Sequence, residues 1–304
     1  MRLRFWRRSP TAPREEPPTS PKHWSWLGGG RALASMPYVL PAELEAEEGR
    51  LDLQHYLLVL AADGLYRAPI RQPRTILDVG CGTGKWARDM AEQFPYAEVI
   101  GFDVNAEPVE RALDRLGPGG KFPTNFRFQK ADARKPFPFE DETFDFTHAR
   151  MLSPAIPRDE WPHLVSEMAR VTKRGGCVEL VDMQQTPYSD SAAYHTIAQA
   201  IAQLMIQRGL YVGVGNDLAW HLQQAGLRRV QQRAFALGKG RAESREQRLL
   251  AADVLAIQAN MKGILVQTGA FSETHFDQLA QQAKREVSET GLVMPVVFAF
   301  GQKW

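Results

Sequence analysis

The chain has 304 residues, enough for one α/β domain with additions or for two ordinary domains. Hydrophobic residues make up 44% and charged residues 24%, a globular balance that excludes disorder throughout. Lys plus Arg number 37 against 35 Asp plus Glu, so the net charge of +2 gives no whole-chain argument for nucleic acid or an anionic membrane.

Residues 1–22 set six cations (Arg2, Arg4, Arg7, Arg8, Arg14, Lys22) against Glu15 and Glu16, with five prolines between Pro10 and Pro21. That composition predicts a disordered tail over residues 1–35, with Gly28–Gly30 as a joint. No apolar core follows the basic start, and we expect no bilayer-spanning run anywhere. Cys81 and Cys177 are too few for a disulfide framework, so a reducing, cytoplasmic setting is expected. From Pro41 to Ala62 the pattern is helical, with Leu53, Leu57 and Leu60 on one face and Arg50 and Gln54 on another. We expect residues 36–70 to form an N-terminal helical lid.

Strands and helices then alternate. Thr75–Val79 reads as a strand, Lys85–Phe94 as a helix burying Trp86, Met90 and Ala91, and Glu98–Asp103 as a second strand. A helix over Asn105–Leu116 stops at Gly117-Pro118-Gly119-Gly120. Strands follow at Phe126–Lys130, Thr143–Ala149 and Cys177–Val181, with a helix over Glu160–Thr172 between the last two. Alternation with short connections predicts a parallel sheet covered on both faces. Beyond it, helices are expected at Ser189–Arg208, Asp217–Ala225, Leu249–Gln267 and Ser272–Glu289, and a last strand at Val293–Phe300. Ser272 is an expected N-cap and Gly291 an expected stop.

The chemistry centres on Ile76-Leu77-Asp78-Val79-Gly80-Cys81-Gly82-Thr83-Gly84. A strand enters a G-x-G-x-G turn and leaves as a helix. The glycines let backbone approach a ligand, and the helix start offers free N–H groups. Lys85 stands where the dinucleotide fingerprint needs its third glycine, which counts against a nicotinamide-dependent oxidoreductase. Asp78 is placed to meet an ammonium group. Asp103 ends the next strand, where a carboxylate takes both hydroxyls of a ribose.

Those residues resemble motif I and the ribose-binding acid of the class I S-adenosylmethionine-dependent methyltransferases. Phe128–Ala133 resembles their adenine-contacting segment, which implies a role for Asp132 and Ala133. Phe137–Asp145 resembles their approach to strand four, and Glu167–Gly176 their turn before strand five. Leu51–Tyr56, Gly64–Ile70 and Gly84–Ala87 are similar to the LaeA-like group of fungal secondary-metabolism methyltransferases, which includes regulator-like and small-molecule enzymes. The resemblance implies a Rossmann-like, doubly wound, seven-stranded α/β sheet over residues 71–304. The sheet is mostly parallel, with an antiparallel C-terminal strand, and a helical substrate cap covers about 189–215. It implies S-adenosyl-L-methionine as cofactor and S-adenosyl-L-homocysteine as product. The implied cofactor-binding set is Asp78, Gly80, Cys81, Gly82, Gly84, Trp86, Asp103, Val104, Asn105, Asp132, Ala133 and Arg150.

For chemistry the candidates are His55, as a general base near neutral pH, with Tyr56 and Arg150. Tyr38, Met183, Tyr194 and Tyr211 are candidates to line an aromatic acceptor site. Asp182, His195 and Tyr211 are the alternative bases. Arg50 and Gln54 are read either as a grip on the methionine carboxylate or as a solvated face. His148 is expected in sheet packing and Cys81 as a small packing residue. No metal spacing is present. The expected activity is methyl transfer to O or N of a small molecule, without nucleic acid or membrane as partner. The alternative is a protein-directed or regulatory methyltransferase-like protein.

Overall fold

Thr75–Val79 (β1) is a short apolar run buried from Ile76 onward, the pattern of a strand covered on both faces. In the computed structural model, which describes residues 45–116 and 119–304, it lies centrally in a seven-stranded sheet. The expected tail, the glycine joint, Tyr38 and the first part of the lid lie outside the described residues.

The other strands are β2 (Glu98–Asp103), β3 (Phe126–Lys130), β4 (Phe144–Arg150), β5 (Thr172–Met183), β6 (Arg228–Leu237) and β7 (Met294–Gln302). Their order is β3-β2-β1-β4-β5-β7-β6, and β7 runs antiparallel to both its neighbours. The order reverses between β1 and β4. Their carboxyl ends are therefore the place where an open α/β sheet holds a ligand.

Helices α2 (Lys85–Gln93) and α3 (Glu107–Asp114) follow β1 and β2. Trp86, Met90, Val99, Phe126 and Phe146 pack together on the α2 face. On the opposite face α4 (Trp161–Val171) and α6 (Leu218–Gln224) pack Trp161, Leu164, Met168 and Leu218 against Leu77, Val79 and Phe102. The N-terminal helix α1 (Glu45–Ala62) buries Leu57 and Leu58 with residues of α5 (Ala192–Gln207), α7 (Arg245–Asn260) and α9 (Glu273–Thr290).

The cap is larger than the sequence suggests. Helix α5 packs its Ile197, Ile201 and Leu204 against Leu265 of α8 (Lys262–Gln267) and Phe276 of α9. Helices α7, α8 and α9 all come from a second insertion, between β6 and β7. The expected single helix 249–267 breaks at Met261 into α7 and α8. Contrary to the sequence reading, Arg245–Gln267 is long and apolar enough to cross a membrane by length and composition. Here it carries Asp253 and Gln258, both buried and bonded to Arg50 and to the Tyr194 carbonyl. Ser191, Ser244 and Ser272 cap α5, α7 and α9 through their hydroxyl oxygens, so the N-cap read at Ser272 holds.

Strand β6 was not among the strands read from the sequence. Its Arg228-Arg229-Val230-Gln231-Gln232-Arg233 stretch forms the sheet edge, and most of it is exposed. The pairing register with β7 shifts between Arg228 and Gln231, and Arg229 has φ +51°. Charge and irregularity suit an edge that must not pair further, and they also erase the apolar alternation.

Candidate functional site

Gly80, Gly82 and Gly84 all have positive φ, at +67°, +55° and +70°. At Gly80 a Cβ would stand 2.5 Å from Leu152 Cδ2, so the dihedral and the space both favour glycine. The Gly80 and Cys81 N–H groups donate to the Phe102 carbonyl at 2.9 and 3.0 Å, closing the turn onto β2. Helix α2 then starts without a side-chain cap, which leaves its first N–H groups available to an anionic or polar ligand. Cys81 is buried, and burial pushes its thiol up, so it packs and does not attack.

Asp103 stands at the mouth of this turn. One carboxylate oxygen accepts from Gly82 N–H at 2.9 Å and the other from Asn105 N–H at 3.1 Å. Burial raises its pKa against the pull of those donors. The Val104 N–H turns toward the carboxylate as well, and of about four acceptor positions only part remains open. Val104 beside it is exposed, and the Asn105 side-chain oxygen accepts from Glu107 N–H at the start of α3. Asp132 is tied to Arg134 through its side chain and its backbone, and that pairing lowers its pKa. Ala133 packs against the core.

Helix α1 is fastened over this edge by polar contacts. Thr83 Oγ1 donates to Asp52 at 2.9 Å, and buried Glu48 receives both Arg111 and Arg115 from the α3 region. Arg50 is neither a solvated face nor a grip in the cleft. It is buried between Glu47 and Asp253, at 2.7 and 2.8 Å.

His55 uses both ring nitrogens. Arg150 donates to Nδ1 at 2.8 Å, and Nε2 meets Asp89 at 2.9 Å. A guanidinium only donates and a carboxylate only accepts, so the ring is neutral with its proton on Nε2. Burial lowers its pKa, with Asp89 opposing, which agrees. The structure thus places His55 as a bridge from α1 to α2 and β4, with no free lone pair for an acceptor. Tyr56 points outward, 41% exposed. Arg150 is half-buried, and desolvation lowers its pKa.

Trp86 is a core residue. Its indole donates to the Leu65 carbonyl at 2.7 Å and stacks on His148, with centroids 3.7 Å apart. His148 in turn meets Asp78 at 3.1 Å, a polar partnership within the expected sheet packing. Tyr194 is buried, with its hydroxyl on the Pro187 carbonyl, so it does not line an acceptor site. Tyr211 lies under Arg158 and donates to Asp217, and His195 is bonded to the Ser189 carbonyl. Asp182 is buried with its pKa raised to about 6, and it accepts from Ser153 and Met183. Among the described residues, Met183, half-buried at the end of β5, is the candidate for the acceptor side left at the carboxyl edge. Among the described residues no group of His, Cys, Asp and Glu could hold a metal ion.

Sequence reasoning missed Asp89, Thr83 and Glu48, which anchor α1, because their partners lie on other elements. It also missed Met151, whose φ of +53° at the end of β4 is a strained value for a side chain of that size. The turn at Met151 sends Leu152 toward Gly80, and no residue type marks it.

Residues 76–176 match the methyltransferase domain family. Over 162 residues the chain is 35% identical to the secondary metabolism regulator LAE1 of Cochliobolus heterostrophus, covering 50% of this chain and 48% of that one. It is 36% identical over 125 residues to methyltransferase str3 of Strobilurus tenacellus, covering 41% of each. The chain thus spans about half the length, or less, of these curated relatives. In fold it is similar to the YcgJ protein of Bacillus subtilis, with a TM-score of 0.50 at 20% identity over 82% of this chain and 98% of that one.

Proposed function

We propose that this chain, which carries a class I S-adenosylmethionine-dependent methyltransferase domain, methylates O or N of a small molecule of secondary metabolism. One observation carries the cofactor assignment. Three positive-φ glycines open the turn after β1, and Asp103 meets that turn with part of its acceptor capacity unused. The residues fit the group. Asp103 would take the ribose hydroxyls, Asp78 the ammonium group, and the free N–H groups at the start of α2 the polar remainder. When bound, S-adenosylmethionine supplies the methyl group and its own leaving group.

The chain's contribution is orientation and exclusion of water. Helix α1, tied to Thr83 and to α3, covers the edge. The crevice lined by Leu58, Leu65, Trp86, His148 and Arg150 encloses about 10 Å³, room for about one water molecule. His55 and Arg150 work as a pair, with His55 holding the guanidinium in place. The acceptor is assigned to the carboxyl edge beside Met183 and the strained Met151, both half-buried there. The relatives named methyltransferase str2 and str3 favour methyl transfer as the activity. The relatives named as secondary metabolism regulators favour a second reading, a protein-directed or regulatory role at the same cofactor site.

Calorimetry with S-adenosylhomocysteine tests the assignment. We expect one site per chain with micromolar or tighter affinity. Absence of binding by a folded chain refutes it. Methyl transfer from labelled cofactor to a small-molecule fraction, rather than to protein, separates the two readings.

A further inference from the structure

Asp78, His148 and Glu179 stand side by side on three adjacent strands. Asp78 on β1 pairs in register with His148 on β4, and His148 with Glu179 on β5. Side chains alternate across a strand, so all three share the α2 face. Ile76, Phe146 and Cys177, two residues earlier on each strand, form the apolar row below them. The three polar side chains are at most 2% exposed. A row of three titratable groups across the middle of a sheet is costly unless its protons are arranged to fit.

The contacts dictate that arrangement. His148 Nδ1 is 3.1 Å from Asp78 Oδ1, and its Nε2 is 4.0 Å from Glu179 Oε1. Glu179 Oε2 accepts from the backbone N–H groups of Arg67 and Ala68, at 2.7 and 2.6 Å. Oε1 has no hydrogen-bond partner. A proton on Glu179 therefore belongs on Oε1, facing the lone pair of Nε2. The gap exceeds a normal hydrogen bond by about 1 Å, which a small side-chain rotation closes. Trp86 seals the ring from above by stacking, and its own N–H is held by Leu65. The Gly64–Ile70 stretch, conspicuous in the sequence but given no role so far, thus builds two walls of this enclosure.

We propose that His148 and Glu179 are positioning residues for Asp78: Glu179 carries a proton on Oε1, His148 stays neutral with its proton on Nδ1, and Asp78 is thereby held as an oriented carboxylate for the cofactor's ammonium group. The last clause rests on the cofactor reading above; the proton arrangement does not. The surrounding charges agree. Glu179 is faced by His148 from β4, by Arg67 and Tyr66 from the segment before β1 and by Cys177 on its own strand, while Phe300 opposite it on β7 is apolar. His148 is faced by Asp78 and Arg150 as well as Glu179, and Asp78 by Arg150, Cys81 and Asp103. Burial raises Glu179 to about 7 and lowers His148, so the carboxyl is the better proton holder of the two.

The test combines a spectrum with a binding profile on the full chain. In a ¹⁵N-histidine sample, His148 should show the neutral Nδ1–H tautomer at about pH 6, below the value of about 7 to which burial raises Glu179. A proton on Nε2, or an ordinary titration near the free-histidine value, overturns the proposal. Glu179→Gln keeps an oxygen for the two backbone donors and offers an amide N–H to Nε2. It should preserve the tautomer and bind S-adenosylhomocysteine within about threefold of wild type. His148→Phe keeps the stack on Trp86 but removes the donor that orients Asp78, so its affinity for S-adenosylhomocysteine should fall at least about tenfold below wild type. Wild-type affinity in a folded His148→Phe also overturns the proposal. If the wild type binds no cofactor product, the cofactor reading falls, while the histidine spectrum still decides the proton arrangement.

Discussion

Replacing His55 decides between a bridge and a base. His55→Ala leaves Arg150 without its Nδ1 acceptor and Asp89 without one of its two side-chain donors, Lys85 being the other. Stranding a desolvated guanidinium donor costs about 3 kcal/mol. In a domain of this size that lowers the melting temperature by roughly 6–12 °C. His55→Gln can accept from Arg150 with its amide oxygen and donate to Asp89 with its nitrogen. It should recover most of that loss and keep methyl transfer within about threefold. If His55 were the general base, both variants would lose about a hundredfold or more in turnover. The pH dependence gives a further check. The folded-state pKa of His55 lies below 6.5, so the unfolded chain binds the proton first. This contribution to stability is complete above about pH 6.5 and is lost as pH falls through the folded value. Urea midpoints should therefore decline on acidification less steeply in His55→Gln than in wild type. Equal melting of the Ala and Gln variants, or a hundredfold loss of turnover in a Gln variant of unchanged stability, refutes the bridge.

Asp103→Asn keeps one acceptor for the Gly82 or Asn105 N–H but removes the charge, and calorimetry should show S-adenosylhomocysteine binding at least about tenfold weaker; unchanged affinity misplaces the ribose site. Asp253 is raised to about 6 by burial, so its contribution to stability is full below about pH 3.8 and lost as pH rises through about 6. Asp253→Asn should therefore gain on wild type in urea midpoint from about pH 4 to pH 7, and a constant gap across that range contradicts the assignment. Glu48→Gln weakens the double arginine clamp on α1, and amide exchange over residues 45–62 should quicken while exchange in β1 and β4 stays slow.

What the sequence displayed well were the elements whose signal is local. The glycine turn, the acid ending β2 and the buried stripe of α2 are each carried by residues a few positions apart, and they stand where expected. The two insertions that make the cap were harder. Ile197, Ile201 and Leu204 announce a buried face on α5, but nothing in that spacing says that α8 and α9, beyond β6, will cover it. The candidate site divides the same way. Asp78 and Asp103 take their places beside strand ends from local sequence alone, whereas the contacts of His55 depend on Asp89 and Arg150, 34 and 95 residues away. Trp86 and Tyr194 were read as possible ligand contacts because aromatic rings suit both a cofactor and a core. Their polar ends, held by the Leu65 and Pro187 carbonyls, assign them to the core.

The two sides of α1 explain why that helix matters more than its weak amphipathic pattern suggests. Leu57 and Leu58 bury themselves with the cap, so the apolar side answers to α5, α7 and α9. Glu48, Asp52 and His55 reach the other way, to Arg111 and Arg115, to Thr83 and to Asp89 and Arg150. The apolar contacts are broad and non-directional, whereas each polar one has a narrow geometry that a shift of an ångström disturbs. Any ligand entering between β1 and β4 must therefore work against the polar side first, while the apolar side keeps α1 attached to the cap.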